Sequence, residues 1–415
     1  MQIVQPIIPA PEGSILDVTA RAWSQGQRAI FPISPTMPAR AGAESVIPVA
    51  GDNGNDAFKG ATLSPDPDAP EGATRARLTT VRIPAAFGIA EDIQGKQEVT
   101  YHCDGVTFWI GEIALAHSGD SLRIGPTNHR LNDERQLWFL GACFVELLRA
   151  ANYAPGVHRV ALSLAIPNTE FEIIPDERTG KERLTATPKT REAIARHLKG
   201  KVWTITRTDN QRTPETWTIS VTTVLPHAQT SGTIMALTLT PNGKKAIDLD
   251  GLRAIDIGGG DLHDSEFYFG RHGPAQMLNR RIGDGTVRIA RVLRADPLLR
   301  KDIRNDVEAQ NVLITERVMR AGRWVSVTED VRRVVASSGQ SIVADVIGIL
   351  RGSRLFTVIT GGGVLRLNGQ LTEVLYQEEK VAGDDYVLVD GPLASLLNVI
   401  GCLFGMVFRS NGNGK

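Results

Sequence analysis

Ala254-Ile255-Asp256-Ile257-Gly258-Gly259-Gly260 is the stretch on which the reading of this chain turns. An apolar strand that ends in an aspartate and runs into three glycines sets a carboxylate beside free backbone N–H groups. Open α/β sheets bind their ligands at that C-terminal edge. Glycines let the backbone adopt positive φ and approach phosphate oxygens, so the run makes a concavity for an anion. Asp256 can hold a metal through water. A glycine-rich turn with no ligand is the competing reading, and a second copy argues against it. Val358-Ile359-Thr360-Gly361-Gly362-Gly363 repeats the design about a hundred residues later.

Around these junctions strand-like and helical runs alternate, which predicts an α/β architecture. The stretches 14–18 and 28–33 read as strands. The region 39–70, rich in Gly, Pro, Asp and Ala, reads as a long loop or insertion. Stretches 107–111 and 159–165 read as strands, and 131–151 and 189–198 as helices, the latter stopped by Gly200. Strand-like runs at 202–207 and 216–224, with a polar segment between, give a hairpin. The block 276–316 reads as largely helical, and 327–351 as a helix interrupted near Ser337-Ser338-Gly339. The apolar run 391–408 is slightly short for a membrane span and carries Asn398, so it reads as a buried core helix.

Lys+Arg and Asp+Glu balance at 46 each, so no global field draws in nucleic acid or an anionic membrane. Any DNA partner is then reached through a local patch or an adaptor. Cys103, Cys143 and Cys402 are far apart and odd in number, which suits neither a disulfide framework nor a zinc site. They read as reduced thiols of a cytoplasmic protein. Residues 1–13 lack the basic and continuous apolar segments of a signal peptide, and with 411–415 they read as flexible termini. A chain of 415 residues suits two domains.

In this order the elements resemble the bacterial and archaeal actin-like proteins of the ParM-related, plasmid-segregating family, within the actin, sugar-kinase and DnaK superfamily. Asp256-Ile257-Gly258-Gly259-Gly260 resembles that family's second phosphate loop, D-x-G-G-G. Thr360-Gly361-Gly362-Gly363 resembles its adenosine loop, and Leu397-Asn398-Val399-Ile400-Gly401 its A-N-x-x-G hinge helix. Trp109-Ile110-Gly111-Glu112-Ile113-Ala114 is similar to its (V/I)-G-x-x-A strand end. Leu162-Ser163-Leu164-Ala165-Ile166-Pro167 is similar to L-x-x-G-L-P, with Ala165 in place of glycine. The run 190–219, leading into Val224-Leu225-Pro226, resembles its helix and two strands, and Phe31-Pro32-Ile33-Ser34 stands where relatives have F-P-S.

The resemblance implies a two-domain actin-like (ribonuclease-H-like) α/β fold with a nucleotide cleft between the domains. Domain I would span 14–248 plus 386–410, with an insertion at about 39–105, and domain II 249–385. The ligand implied is ATP or GTP with Mg²⁺, the metal held through water by Asp17 and Asp256. Asp17, Thr19, Arg21, Gly258, Gly259, Gly260, Gly361, Gly362 and Gly363 would contact the nucleotide. The reaction implied is phosphoanhydride hydrolysis coupled to head-to-tail polymerisation. The partners implied are copies of the same chain and a DNA-binding adaptor, with neither direct nucleic-acid nor membrane binding.

Three positions depart from the family pattern. The first phosphate loop is D-x-G-x-x-x-x-K, but Asp17 is followed by Val18-Thr19-Ala20-Arg21. At Pro226-His227 relatives place the Glu or Gln that orients the attacking water. His227 is a candidate base whose ordinary pKa near ~6.5 would gate the rate in mildly acidic water, and Gln229 is the alternative. Asp261-Leu262-His263-Asp264 stands where relatives read T-T-D, so Asp261 or Asp264 takes the acidic role, or the four form a surface turn. These departures leave two further outcomes: a nucleotide binder without hydrolysis that serves as a structural subunit, and a small-molecule kinase of the same superfamily.

Overall fold

The computed structural model describes residues 10–37, 45–54, 56–70, 74–90, 98–117, 120–122, 126–175, 182–209, 213–270, 273–382, 386–389 and 391–410. The termini 1–9 and 411–415, expected to be flexible, lie outside the described residues. The chain divides into two units. The first gathers Gly13–Ile173, Thr185–Ala246 and the chain from Val399 onward, the second Ile174–Leu184 and Ile247–Asn398.

The first unit opens with helix α1 (Ile15–Ser24), then strands β1 (Ile30–Phe31), β2 (Ile47–Asn53), β3 (Ala57–Pro65), β4 (Ala76–Pro84), β5 (Ala86–Ile89), β6 (Thr100–Cys103) and β7 (Val106–Ile110). There follow α2 (Gly111–Ala116), β8 (Asp120–Ser121), α3 (Thr127–Leu131), α4 (Glu134–Ala150) and β9 (Gly156–Ile166). A separate two-stranded sheet, β10 (Phe171–Pro175) and β11 (Glu182–Ala186), is shared between the units, since Ile174–Leu184 group with the second. Helix α5 (Pro188–His197), β12 (Val202–Thr208), β13 (Glu215–Ala228) and α6 (Ser231–Thr238) follow in the first. The second unit holds β14 (Gly251–Ile257), β15 (Asp261–Gly270), β16 (Gly273–Asp284), α7 (Val287–Ala295) and α8 (Asp306–Thr315). It continues through β17 (Arg317–Arg320), β18 (Arg323–Ser326), α9 (Thr328–Ser338), α10 (Gln340–Arg351), β19 (Phe356–Thr360), α11 (Val364–Ala382) and β20 (Tyr386–Leu388). In α12 (Gly391–Ser410) the division falls between Asn398 and Val399.

One strand pattern occurs in both units. In the first, β4-β3-β2 form an antiparallel meander, and β2, β9 and β13 then run parallel. In the second, β16-β15-β14 form the meander, and β14, β19 and β20 run parallel. The first strand of each parallel set ends alike: Asp52 is the last residue but one of β2, and Asp256 the last but one of β14. Each unit therefore has a parallel-strand end of the kind at which open α/β sheets hold ligands.

The core of the first unit lies between its sheet and α4. The Phe144 ring meets Phe58 edge-on at 5.8 Å and Trp203 at 5.9 Å. Burying an aromatic side chain of this size stabilises the fold by about 1.5–3 kcal/mol. On the other side, Phe404 of α12 packs against Phe31 at 4.8 Å, and Ser163 Oγ donates to the Cys402 carbonyl at 3.0 Å. Helix α12 is long and apolar enough to cross a membrane, yet most of it is buried within the protein.

Several expectations are corrected. The stretch 14–18 begins a helix, because Ser14 Oγ accepts the Asp17 N–H at 3.0 Å and Ile15, Leu16 and Thr19 share a buried face. The region 39–70 is no loop where it is described, since β2 and β3 fill most of it. The block 276–316 starts inside strand β16 and turns helical only at Val287. Positions 261–264 open strand β15 instead of forming a turn. Asp264 is fully buried there, gripped by Arg253 at 2.6 and 2.7 Å and by Arg280 at 2.7 Å. The hairpin β12–β13 is present as expected, and so is the break between α9 and α10, which bends by 45°.

Candidate functional site

The ends of β2, β9 and β13 enclose a small recess of about 30 Å³, bounded by Asp52, Asn53, Thr127, Arg130, Ile166 and Gln229 among others. The sequence leaving this edge is Asp52-Asn53-Gly54-Asn55-Asp56-Ala57-Phe58-Lys59. That is the D-x-G-x-x-x-x-K pattern, which stands here and not at Asp17. Asp52 is in register with Ala165 of β9 on one side and with Lys59 of β3 on the other. Both charged side chains are buried. A Cβ on Gly54 would stand 3.0 Å from the Ala57 carbonyl oxygen and 3.2 Å from Asp56 Oδ1, so a side chain there would crowd the turn.

Asp56 organises the base of this turn. Its Oδ1 lies 3.8 Å from Lys59 Nζ, and its Oδ2 accepts from Arg82 Nη2 at 3.1 Å. Burial by itself would raise the Asp56 carboxyl. The Lys59 and Arg82 charges, with the Arg82 hydrogen bond, outweigh it and hold the group below its ordinary range. A carboxylate, a glycine turn and a lysine are thus assembled at one strand end, a donor set that fits a phosphate with its counter-cation.

Asp17, Thr19 and Arg21 are not part of this edge. They sit on α1, where Asp17 Oδ2 accepts the Gly13 N–H at 2.7 Å and pairs with Arg21 at 2.6 Å. Thr19 is buried and donates to the Ile15 carbonyl at 2.7 Å. The two water-positioning candidates also separate. Gln229 is on the recess, its N–H bonded to the Ile166 carbonyl at 3.0 Å. His227 is buried at the end of β13, where its Cε1 lies 3.6 Å from the position a Cβ on Gly405 of α12 would take. Its Nε2 has no hydrogen-bond partner among the described residues. Burial, and then the Arg409 charge, lower its pKa to about 3, so the titration expected near neutrality is absent.

In the second unit Asp256 is in register with Thr360 of β19, which brings the two triglycine junctions together. Gly363 N–H donates to the Ile257 carbonyl at 2.7 Å. Gly361 has φ +100°, and a Cβ there would fall 2.2 Å from Asp256 Oδ1, so this loop wraps the carboxylate only as glycine. The carbonyls of Gly258, Gly259 and Gly260 accept the N–H groups of Thr286, Val287 and Gly285 at 2.7–3.0 Å. The Gly259 and Gly260 N–H groups make no hydrogen bond among the described residues, which leaves donors for an anion. Of the acidic candidates beyond the loop, Asp264 is committed to its two arginines and Asp261 pairs with Arg281.

Among the described residues no three His, Cys, Asp or Glu side chains converge as a metal cage. Mg²⁺ asks for less. It keeps most of its waters and is held by one or two carboxylates together with substrate phosphates, a demand that strand-end carboxylates such as Asp52 and Asp256 fit.

No protein-family model matches the chain, and no curated protein sequence matches it. Solved structures do. An archaeal actin homolog in complex with ADP superimposes with a TM-score of 0.57 at 16% identity, over 87% of this chain and 99% of that one. ParM of Bacillus thuringiensis with ATP gives 0.56 at 13% identity, over 89% and 100%. A ParM from a 15-stranded filament of Clostridium botulinum gives 0.54 at 15%, over 86% and 98%. Identities this low speak to fold alone. The protein has the two-domain actin-like fold, the one found in ParM proteins, as the resemblance implied.

Proposed function

We propose that this protein is an actin-like filament-forming subunit that binds ATP or GTP and hydrolyses it. The observation that carries the proposal is the double strand end: Asp52 and Asp256 hold equivalent places on equivalent strands, each leading into a glycine-bearing loop. In this reading Gly54 and Lys59 contact phosphate oxygens in the first unit, and the Gly258–Gly260 amides do so in the second. The turn at 361–363 offers backbone for a base or ribose to lie against. Gln229 orients the attacking water, and Asp52 takes the place first given to Asp17. Mg²⁺, held through water by a strand-end carboxylate, Asp52 or Asp256, would neutralise phosphate charge.

The case for a binder without hydrolysis rested on the Asp17 loop and on His227. The D-x-G-x-x-x-x-K pattern at 52–59 and Gln229 on the recess favour hydrolysis over that alternative. Assembly is supported by the likeness to a ParM filament subunit. A head-to-tail contact that does not close propagates. The buried free cysteines suit a cytoplasmic setting, and the balanced charge suits an adaptor-borne link to any DNA cargo.

The test is a titration of fluorescent ATP and GTP with Mg²⁺, followed by phosphate release, light scattering and electron microscopy. Saturable binding, a critical concentration and filaments are expected, and folded Asp52→Ala or Asp256→Ala protein should release no phosphate. Failure of the folded parent to bind either nucleotide overturns the reading. A particle that stays monomeric at every concentration and nucleotide state removes the filament.

A further inference from the structure

We propose that Arg130 is a positioning residue that clamps the Asn53–Gly54 peptide where the chain leaves β2 toward the phosphate-binding glycine, a proposal that rests on the nucleotide reading above. Arg130 lies near the end of α3, a five-residue helix too short to be stable by itself. The protein anchors this helix at both ends. At its start, Thr127 N–H donates to Glu170 Oε1 at 2.7 Å, while Glu170 Oε2 accepts from Thr190 Oγ1 of α5 at 2.7 Å. Glu170 is buried, so its two oxygens tie α3 to α5 away from competing water. At the far end Arg130 Nη1 donates to the carbonyl of Asn53.

Asn53 is the residue between Asp52 and Gly54, so its peptide sets the direction in which the turn leaves the strand. The Asn53 side chain is held as well, its Nδ2 donating to Gln136 Oε1 of α4 at 3.0 Å. The Asn53–Gly54 peptide and the Asn53 side chain are thereby held from two helices before any ligand arrives. Preorganisation of this kind spares binding the cost of ordering the loop. An arginine suits the task because its guanidinium carries five N–H donors on a rigid plane. One donor engages the loop carbonyl while the cation stands on the recess wall with Gln229.

Hydrogen–deuterium exchange over 52–62 without nucleotide, compared among the parent, Arg130→Ala and Arg130→Lys, tests the clamp. Fluorescent triphosphate binding is then measured on the same proteins. In Arg130→Ala the loop is expected to exchange about tenfold faster while β12 and β14 keep the parental rate. Triphosphate affinity should fall about tenfold alongside. Arg130→Lys, whose ammonium can reach the same carbonyl, should recover most of both losses. Unchanged loop exchange in Arg130→Ala overturns the clamp, and so does faster exchange throughout the first unit. A parent that binds no nucleotide overturns the proposed function instead, and the exchange comparison then decides the clamp by itself.

Discussion

Lys59 stands opposite Asp52 across the β2–β3 pair, with Gly54 in the turn between them. Both side chains are buried, and buried charges persist only when paired. Here Asp56 and Arg82 complete the charge set. Asp17 has a different setting, at the start of a helix beside an exposed arginine. The two aspartates can therefore be told apart experimentally. Lys59→Ala should weaken triphosphate binding by tenfold or more, about 1.4 kcal/mol or above. Asp17→Ala should leave binding unchanged and lose only a helix-start interaction of about 0.3–1 kcal/mol in urea unfolding. Reversal of the two results would return the phosphate site to α1.

Thr230 follows Gln229 with φ +74° and ψ −27°, a region that β-branched residues avoid. Its side chain is fully buried, and its Oγ1 donates to the Gln229 carbonyl. Strain of this kind amounts to about 1–3 kcal/mol and persists where surrounding structure imposes it. Thr230→Gly relieves the strain, whereas Thr230→Ala keeps it and loses the hydroxyl. The glycine variant should be more stable than the alanine variant by about 1 kcal/mol, and both should hydrolyse more slowly than the parent as Gln229 loosens. An alanine variant at least as stable as the glycine variant would show that no strain is stored there.

The second unit was the more legible in the sequence. At β14 and β19 a continuous apolar run meets glycines, and periodicity marks both the strand and its end. Helix α4 and the β12–β13 hairpin announced themselves in the same way. Strands β2 and β3 did not, because they are buried along nearly their whole length and show no alternation. They also carry Gly51 and Gly60 in mid-strand, where the Phe58 ring leaves room for no side chain: a Cβ would meet it at 3.0 and 2.7 Å. Composition therefore read as loop where packing demanded strand. The signal available was the ordered pattern from Asp52 to Lys59. At α1 it was Ser14 three residues ahead of Asp17, a helix-start spacing that outranks a short apolar run.

Gly401 and Gly369 are both helical, yet they predict opposite outcomes. A Cβ on Gly401 of α12 would fall 1.7 Å from the Gly232 carbonyl oxygen at the start of α6, so the two backbones touch there. A Cβ on Gly369 of α11 would meet nothing within 4 Å. Gly401→Ala should destabilise by about 1–3 kcal/mol or more through overpacking. Gly369→Ala should stabilise by about 0.5–1 kcal/mol, since alanine loses less backbone freedom in a helix. Denaturant midpoints measure both. Equal midpoints for the two variants would deny the close approach of α12 to α6.

His227 sets a pH dependence of stability rather than of rate. In the unfolded chain its imidazole titrates near ~6.5, and in the folded protein burial and Arg409 hold it at about 3. Between those values the unfolded chain binds a proton that the folded protein refuses. The stability that follows from the neutral buried ring is full above ~6.5 and is lost progressively as pH falls toward 3. His227→Gln removes the titration, so its melting temperature should fall less than that of the parent between neutral and mildly acidic pH. Because the ring stays neutral throughout that range and Gln229 occupies the recess, His227→Gln should keep phosphate release near the parental rate. Gln229→Ala should lose at least about tenfold, as expected when an attacking water loses the amide that orients it. A parental rate profile with a midpoint near ~6.5 that vanishes in His227→Gln would restore the histidine as the catalytic base and displace Gln229.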